Sequence, residues 1–226
     1  LDRWLIPTDQ LELRLEFNHL GETIAGVDEV GRGALFGPVV AAAVILPDRA
    51  LSELAAAGVT DSKKLTSTQR QELAIQIRAT ASACQVGVAS VSEIDRLNIL
   101  QASLLAMKRA VLRLKVSPSG CLIDGNQAIP GLPLPQQPLV KGDERSLAIA
   151  AASIVAKVWR DRLIVRLAAK YPQYDLAMNK GYGTAAHRQA LEQFGTTRWH
   201  RQSFAPCRSG RDKPVDKLTS FFGIAE

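Results

Sequence analysis

A mixed five-stranded α/β sheet flanked by helices, with a helical part at its C-terminal side, is the fold class this sequence predicts. Two patterns carry the prediction. Five short apolar runs, rich in β-branched residues, punctuate the chain, and stretches of helical period separate most of them. The first two runs also follow one another through a short glycine-containing connection, which suits an antiparallel pair rather than a crossover.

The runs at residues 24–27 and 39–46 are the first two strands. Thr66 and Gln69 have the spacing of a capping box, so a helix is expected from there to about Thr80. Residues 84–91 read as a third strand. Leu100, Leu104, Met107, Val111 and Leu114 then recur at helical spacing and predict one helix over 93–114. Residues 121–123 form a short buried strand, expected to be parallel to its partner because a helix precedes it. Four prolines make 128–138 a loop, with 139–140 as a last short strand. A long helix over 147–169 has alanines that allow close packing on the sheet, and Thr184 caps a further helix through Phe194.

At 226 residues the chain is long enough for one substantial core, and 46% hydrophobic with 22% charged residues argues against disorder. A formal charge of +6 favours an anionic partner, nucleic acid among the candidates. Cys84, Cys121 and Cys207 are scattered with no C-x-x-C, which argues against a zinc knuckle or a disulfide framework and fits a reducing compartment. The longest apolar run, 39–46, is too short to span a bilayer, and the first residues open no signal-peptide core. A soluble, cytoplasmic monomer with no membrane association is expected.

The chemistry concentrates behind the first strand. In Thr23-Ile24-Ala25-Gly26-Val27-Asp28-Glu29-Val30-Gly31-Arg32-Gly33, an apolar strand ends on two carboxylates and then a glycine-flanked arginine. Negative charge at the edge of a core needs a metal or a basic partner. Adjacent strand residues face opposite sides, so Asp28 and Glu29 share a site only where the backbone turns, which Gly31 and Gly33 ease. Asp124 also follows a strand, and Asp143 precedes the long helix. Ligands of open α/β sheets gather beyond the carboxyl ends of strands, where these acids are placed to converge. Four carboxylates without Cys or His pairs favour Mg²⁺ or Mn²⁺ over Zn²⁺. Each acid also has a plainer reading: Asp28 and Glu29 as a turn pair, Asp124 before Gly125 as a turn residue, Asp143 as a helix N-terminal charge. Gly31, Gly33 and Gly37 have the wrong spacing for a dinucleotide fingerprint, and a strand rather than a helix follows them.

Taken in order, the motifs resemble those of the ribonuclease HII family. Beside the first stretch they are Asp61-Ser62-Lys63-Lys64-Leu65, Leu122-Ile123-Asp124-Gly125-Asn126, Lys141-Gly142-Asp143 followed by 149–158, Asn179-Lys180-Gly181-Tyr182-Gly183-Thr184, and His200-Arg201-Gln202-Ser203-Phe204. They span roughly residues 22–206. The resemblance implies a ribonuclease H-like fold and an endoribonuclease acting on RNA–DNA hybrids and on ribonucleotides embedded in duplex DNA. It implies Asp28, Glu29, Asp124 and Asp143 as catalytic carboxylates that hold two Mn²⁺ or Mg²⁺ ions, with 5′-phosphate and 3′-hydroxyl products. Glu144, beside Asp143, is the substitute for the last ligand. Gly31, Arg32 and Gly33 match a loop that meets the ribose 2′-hydroxyl, and Tyr182 matches a tyrosine that packs on the next deoxyribose. Lys63, Lys157, Arg160 and Lys180 are candidate phosphate contacts. His187 reads as structural.

The same resemblance divides the chain into an N-terminal extension (1–21), a catalytic domain with its C-terminal helices (22–206) and a tail (207–226). In the tail, Lys217-Leu218-Thr219-Ser220-Phe221-Phe222 loosely resembles a docking peptide for a sliding clamp, without the usual glutamine. The competing reading is a noncatalytic nucleic-acid-binding protein of the same fold. A missing acid would favour it, and all four are present.

Overall fold

A computed structural model describes residues 23–60 and 62–208. Strands β1 (Ile24–Val30) and β2 (Val39–Ile45) form the expected antiparallel pair, with Ala25 opposite Ile45 and Val30 opposite Val40. Helix α1 (Asp48–Ala56) is an addition to the sequence reading. Pro47 leads into it, and its Leu51 and Leu54 are buried. Helix α2 (Ser67–Thr80) starts at the Thr66–Gln69 capping box, and β3 (Ala83–Ala89) pairs antiparallel with β2.

The single helix expected over 93–114 is two, α3 (Val91–Leu97) and α4 (Ile99–Leu112). Asn98 divides them: it takes a φ of 76°, and its side chain accepts the Gln101 amide at 3.1 Å to cap α4. Asparagine tolerates this left-handed backbone better than most residues. Strand β4 (Gly120–Asp124) is parallel to β1 as expected, and β5 (Gln136–Leu139) is parallel to β4. The expected proline loop is therefore shorter. β5 includes Pro138, which lacks an N–H for the ladder and is tolerated because β5 is an edge in the order β3-β2-β1-β4-β5.

The remaining elements are α5 (Gly142–Arg145), α6 (Leu147–Ala168), a 3₁₀ turn (Pro172–Tyr174), α7 (Leu176–Asn179), α8 (Ala185–Phe194) and α9 (Ala205–Arg208). Two cores sandwich the sheet. On one face Ala42 and Val44 pack with α1, α2 and the alanine-rich start of α6. On the other Ala25, Val27, Ala41 and Ile123 pack with α3 and α4. Glycine decides how closely the helices lie: a Cβ on Gly26 would stand 2.1 Å from the Ala148 carbonyl carbon of α6, and one on Gly87 would stand 2.0 Å from the Ala106 oxygen of α4. A third core, around Phe36, Ile164, Tyr174 and Leu191, fixes the C-terminal helices against the end of α6. Among the described residues, no helix is long and apolar enough to cross a membrane.

Candidate active site

The parallel register brings the central acids together. Gly26 pairs with Leu122 and Val27 with Ile123, so the next residues on β1 and β4 are Asp28 and Asp124. Strand alternation puts both on the α6 side, since Val27 and Ile123 fill the opposite core. Asp124 Oδ1 accepts the Gly142 amide at 2.7 Å, which draws the first turn of α5, and with it buried Asp143, to the same edge.

Glu29 arrives differently from the expectation. The backbone does not turn between Asp28 and Glu29: β1 stays paired through Val30. Glu29 thus leaves the strand on the opposite side, and its amide donates to Asp28 Oδ1 at 2.6 Å. Its carboxylate meets Arg32 Nη1 at 3.3 Å. Burial first, and then the charges of Glu29, Asp124 and Asp143, hold the Asp28 carboxyl well above the ordinary range, against a hydrogen bond from Ser153. Burial also raises Glu29, opposed by Arg32 and reinforced by Asp124. Asp143, rather than Glu144, bears on Asp28; Lys63 Nζ lies 3.5 Å from Asp143, while Glu144 pairs outward with Lys64 at 3.0 Å.

Among the described residues, no three His, Cys, Asp or Glu side chains are gathered tightly enough to grip an ion together. The acids meet as electrostatic neighbours. Their donor set is nevertheless all carboxylate oxygen, and the raised Asp28 and Glu29 record burial first and, behind it, repulsion from neighbouring acids, both of which a hard divalent cation offsets. In that respect the residues fit Mg²⁺ or Mn²⁺.

Beside the acids lie the two glycine loops. Gly31 has a φ of 91°, and a Cβ there would stand 2.2 Å from Arg160 Nε. Ala34 bridges to Tyr182, and the amides of Leu35 and Phe36 donate to the Gly181 carbonyl at 2.8 and 3.2 Å. The exposed Arg32 and Gly33 and the half-buried Tyr182 therefore belong to one surface. Lys157 Nζ lies 5.6 Å from the Tyr182 ring centroid and also 3.1 Å from Asp161. Lys180 takes a left-handed backbone with φ 51°, and its ammonium donates to the Ala177 carbonyl.

Arg160 corrects an expectation. Its side chain is fully buried, and it donates to the carbonyls of Pro38 (3.1 Å), Phe36 (2.9 Å) and Lys180 (2.9 Å). Burial keeps the guanidinium from a phosphate at the surface and those bonds tie it to loop carbonyls, so Arg160 is a clamp on loop backbone. Sequence reasoning missed Ser153, whose hydroxyl also lies 2.9 Å from that of Ser62, and Gly142, the amide donor to Asp124. Both stand in the quoted motifs, but only the folded register shows what they touch. Asp61 and the clamp-like segment 217–222 lie outside the described residues.

Comparison with known proteins gives the same direction. The family model for ribonuclease HII matches residues 25–207. A ribonuclease HII of Acaryochloris marina is 67% identical over 188 residues, covering 83% of this chain and 95% of that protein. One of Trichodesmium erythraeum is 67% identical over 184 residues, covering 81% and 87%. Among solved structures, ribonuclease H2 of Pyrococcus horikoshii has a TM-score of 0.72 at 26% identity, covering 82% of this chain and 95% of that one. The RNase HII of Archaeoglobus fulgidus, solved in a complex with PCNA, has a TM-score of 0.69 at 30% identity, covering 87% and 100%. Bst-RNase HIII in complex with Mn²⁺ has a TM-score of 0.70 at 21% identity, covering 89% and 73%, a likeness of fold alone.

A mixed sheet of this order, with acids at the carboxyl ends of adjacent parallel strands, defines a nuclease with the ribonuclease H fold. Its activity is that of a type 2 ribonuclease H, an endoribonuclease. The chain belongs to the ribonuclease HII family.

Proposed function

We propose that this chain hydrolyses the RNA strand of RNA–DNA hybrids and incises beside ribonucleotides embedded in duplex DNA, leaving 5′-phosphate and 3′-hydroxyl ends. The observation that carries the proposal is one juxtaposition: the Asp28–Asp124 edge adjoins the Arg32 loop, and that loop is bridged at Ala34 to Tyr182. Acids for phosphate chemistry and two loops suited to reading a sugar thus share a surface.

Asp28, Asp124 and Asp143 would hold Mn²⁺ or Mg²⁺ on the α6 side of the sheet edge, with Glu29, which feels the charge of Asp124 from the other side of β1, as the fourth carboxylate. When bound, divalent ions supply Lewis-acid stabilisation of the phosphate and lower the pKa of the attacking water. Arg32 neutralises part of Glu29, and the backbone of Gly31, Arg32 and Gly33 faces the 2′-hydroxyl, the group that separates RNA from DNA. The Tyr182 ring packs on the neighbouring deoxyribose, with Lys157 on its flank. Lys63, Lys157 and Lys180 orient the phosphates. Water attacks phosphorus in line, and no covalent enzyme intermediate is required.

Residues 22–206 are the catalytic unit in this reading, which is monomeric and serves ribonucleotide removal from DNA in the cytoplasm. Three free, separated cysteines support a reducing compartment. The PCNA complex of the Archaeoglobus neighbour supports a clamp as a partner of this chain; residues 217–222 are the docking segment in this reading on the strength of their sequence alone.

The test is single-turnover cleavage of a duplex with one ribonucleotide and of a matched all-DNA duplex, in Mg²⁺, in Mn²⁺ and in EDTA. Cleavage at the ribonucleotide alone, abolished by EDTA, is the expected result. Equal cleavage of both duplexes, or cleavage that survives EDTA, rejects the reading.

A further inference from the structure

The segment His200-Arg201-Gln202-Ser203-Phe204 has no part in the chemistry above, yet His200 and Arg201 are fully buried. Arg201 Nη1 donates to the Arg32 carbonyl at 2.7 Å and Nε to the Gly37 carbonyl at 3.0 Å. Its amide donates to Leu35 at 2.9 Å, and its guanidinium carbon lies 5.2 Å from the Phe204 ring centroid. Among the described residues, Nη2 has no hydrogen-bond partner. The neighbouring acid, Asp95, is already engaged by the Gln202 and Ser203 amides at 3.0 and 2.8 Å and by the Ser203 hydroxyl at 2.7 Å. A buried guanidinium without a direct ion pair is costly, and stability alone favours an apolar residue of similar volume. Its bonds go instead to the backbone of the Arg32 loop.

His200 works toward the other loop. The Tyr182 carbonyl only accepts, so His187 Nδ1, 3.0 Å away, carries the proton. His187 Nε2 is then a bare acceptor for His200 Nε2–H at 3.1 Å. His200 Nδ1 in turn accepts the Thr197 amide at 2.9 Å. With both rings neutral, every nitrogen is satisfied and the tautomers are fixed. Phe36 bridges to His200, and Gly37 donates to the Trp199 carbonyl at 2.8 Å. One segment therefore lies against the Arg32 loop on one side and, through two imidazoles, fixes Tyr182 on the other.

We propose that Arg201, with His200 and His187 behind it, is a positioning unit that sets the Arg32 loop relative to Tyr182 and so determines discrimination between ribose and deoxyribose without touching substrate. The proposal rests on the reading that these two loops sense the sugar.

Binding is measured by fluorescence anisotropy in EDTA, for a duplex with one ribonucleotide and its all-DNA counterpart, with thermal unfolding alongside. Wild type is expected to favour the ribonucleotide duplex. Arg201→Met should reduce that preference at least 10-fold while the all-DNA affinity, set by phosphate contacts, changes little. Arg201→Lys, which keeps the charge but reaches one carbonyl, should fall between. If Arg201→Met does not fold, Arg201→Lys decides by the same ratio. A ratio equal to wild type in the folded variants, or a parallel loss of both affinities that follows the melting temperature, overturns the positioning role. Wild type that cleaves at ribonucleotides yet binds both duplexes equally overturns the sugar-binding basis of this inference. Wild type that does neither rejects the proposed function itself.

Discussion

Asp124 accepts the amide of Gly142 at 2.7 Å, and this bond joins two parts of the site separated by a proline-rich excursion. It holds the α5 turn against the end of β4, where Asp143 adds its charge to Asp28. A Cβ on Gly142 would stand 2.6 Å from Ile149 Cδ1 and 3.3 Å from Asp124 Oδ1, so the close approach depends on glycine.

The acids are repulsive neighbours, so neutralising one should separate function from stability. Asp28→Asn and Asp124→Asn are expected to lose more than about 100-fold of metal-dependent cleavage. The melting temperature of Asp28→Asn in EDTA should match or exceed that of wild type, because a buried charge held among like charges is removed. Near-normal cleavage by both variants at limiting metal counts against the site; a melting temperature well below wild type counts against the repulsion.

Gly26 sets the distance between β1 and α6. Gly26→Ala should cost ~3 kcal/mol or more, because the clash is with the Ala148 backbone and has no rotamer to relieve it. Gly33→Ala is the contrast, since nothing lies within 4 Å of a Cβ there. Urea unfolding of the two variants measures the difference, and equal midpoints contradict it.

The histidine pair predicts an acid limb in stability. Burial, and then His187, push His200 down to about 3, whereas an unfolded histidine takes up its proton at about 6.5. Between those values the unfolded chain binds more protons, so stability falls as pH drops through that window; above about 6.5 this group contributes no slope. Burial lowers His187 as well and adds to the same limb. Melting temperature against pH should decline more steeply below pH 6.5 in wild type than in His200→Gln. Parallel profiles would show that the ring is not held neutral.

Tyr182 separates ring from hydroxyl. Its ring centroid lies 5.6 Å from Lys157 Nζ and 5.5 Å from the Arg160 guanidinium carbon, and both contacts need only the aromatic face. Tyr182→Phe is expected to retain most single-ribonucleotide cleavage, whereas Tyr182→Ala should lose at least about 10-fold, in line with the 1–3 kcal/mol of a stacking platform. Equal single-turnover rates for all three proteins remove Tyr182 from substrate recognition.

Hydrophobic runs and caps made the strand and helix order legible, together with the antiparallel β1–β2 pair and the parallel β4. The errors have local causes. Asn98 broke a helix because an asparagine can adopt positive φ and cap the next turn in one step. Pro138 entered a strand because that strand is an edge, a property of the assembled sheet.

By itself the sequence determined which residues carry charge at strand ends, where glycine permits tight loops, and the family that those motifs mark. Tertiary structure decided what each side chain meets. It set Asp28 beside Asp124 through a parallel register, kept Glu29 on the other side of a strand that does not turn, and buried Arg160 beneath the loops instead of exposing it to phosphate. The physical reason is range: propensity and spacing act over a few residues, whereas burial, charge coupling and shared hydrogen bonds arise between segments more than a hundred positions apart, as between Arg201 and Arg32.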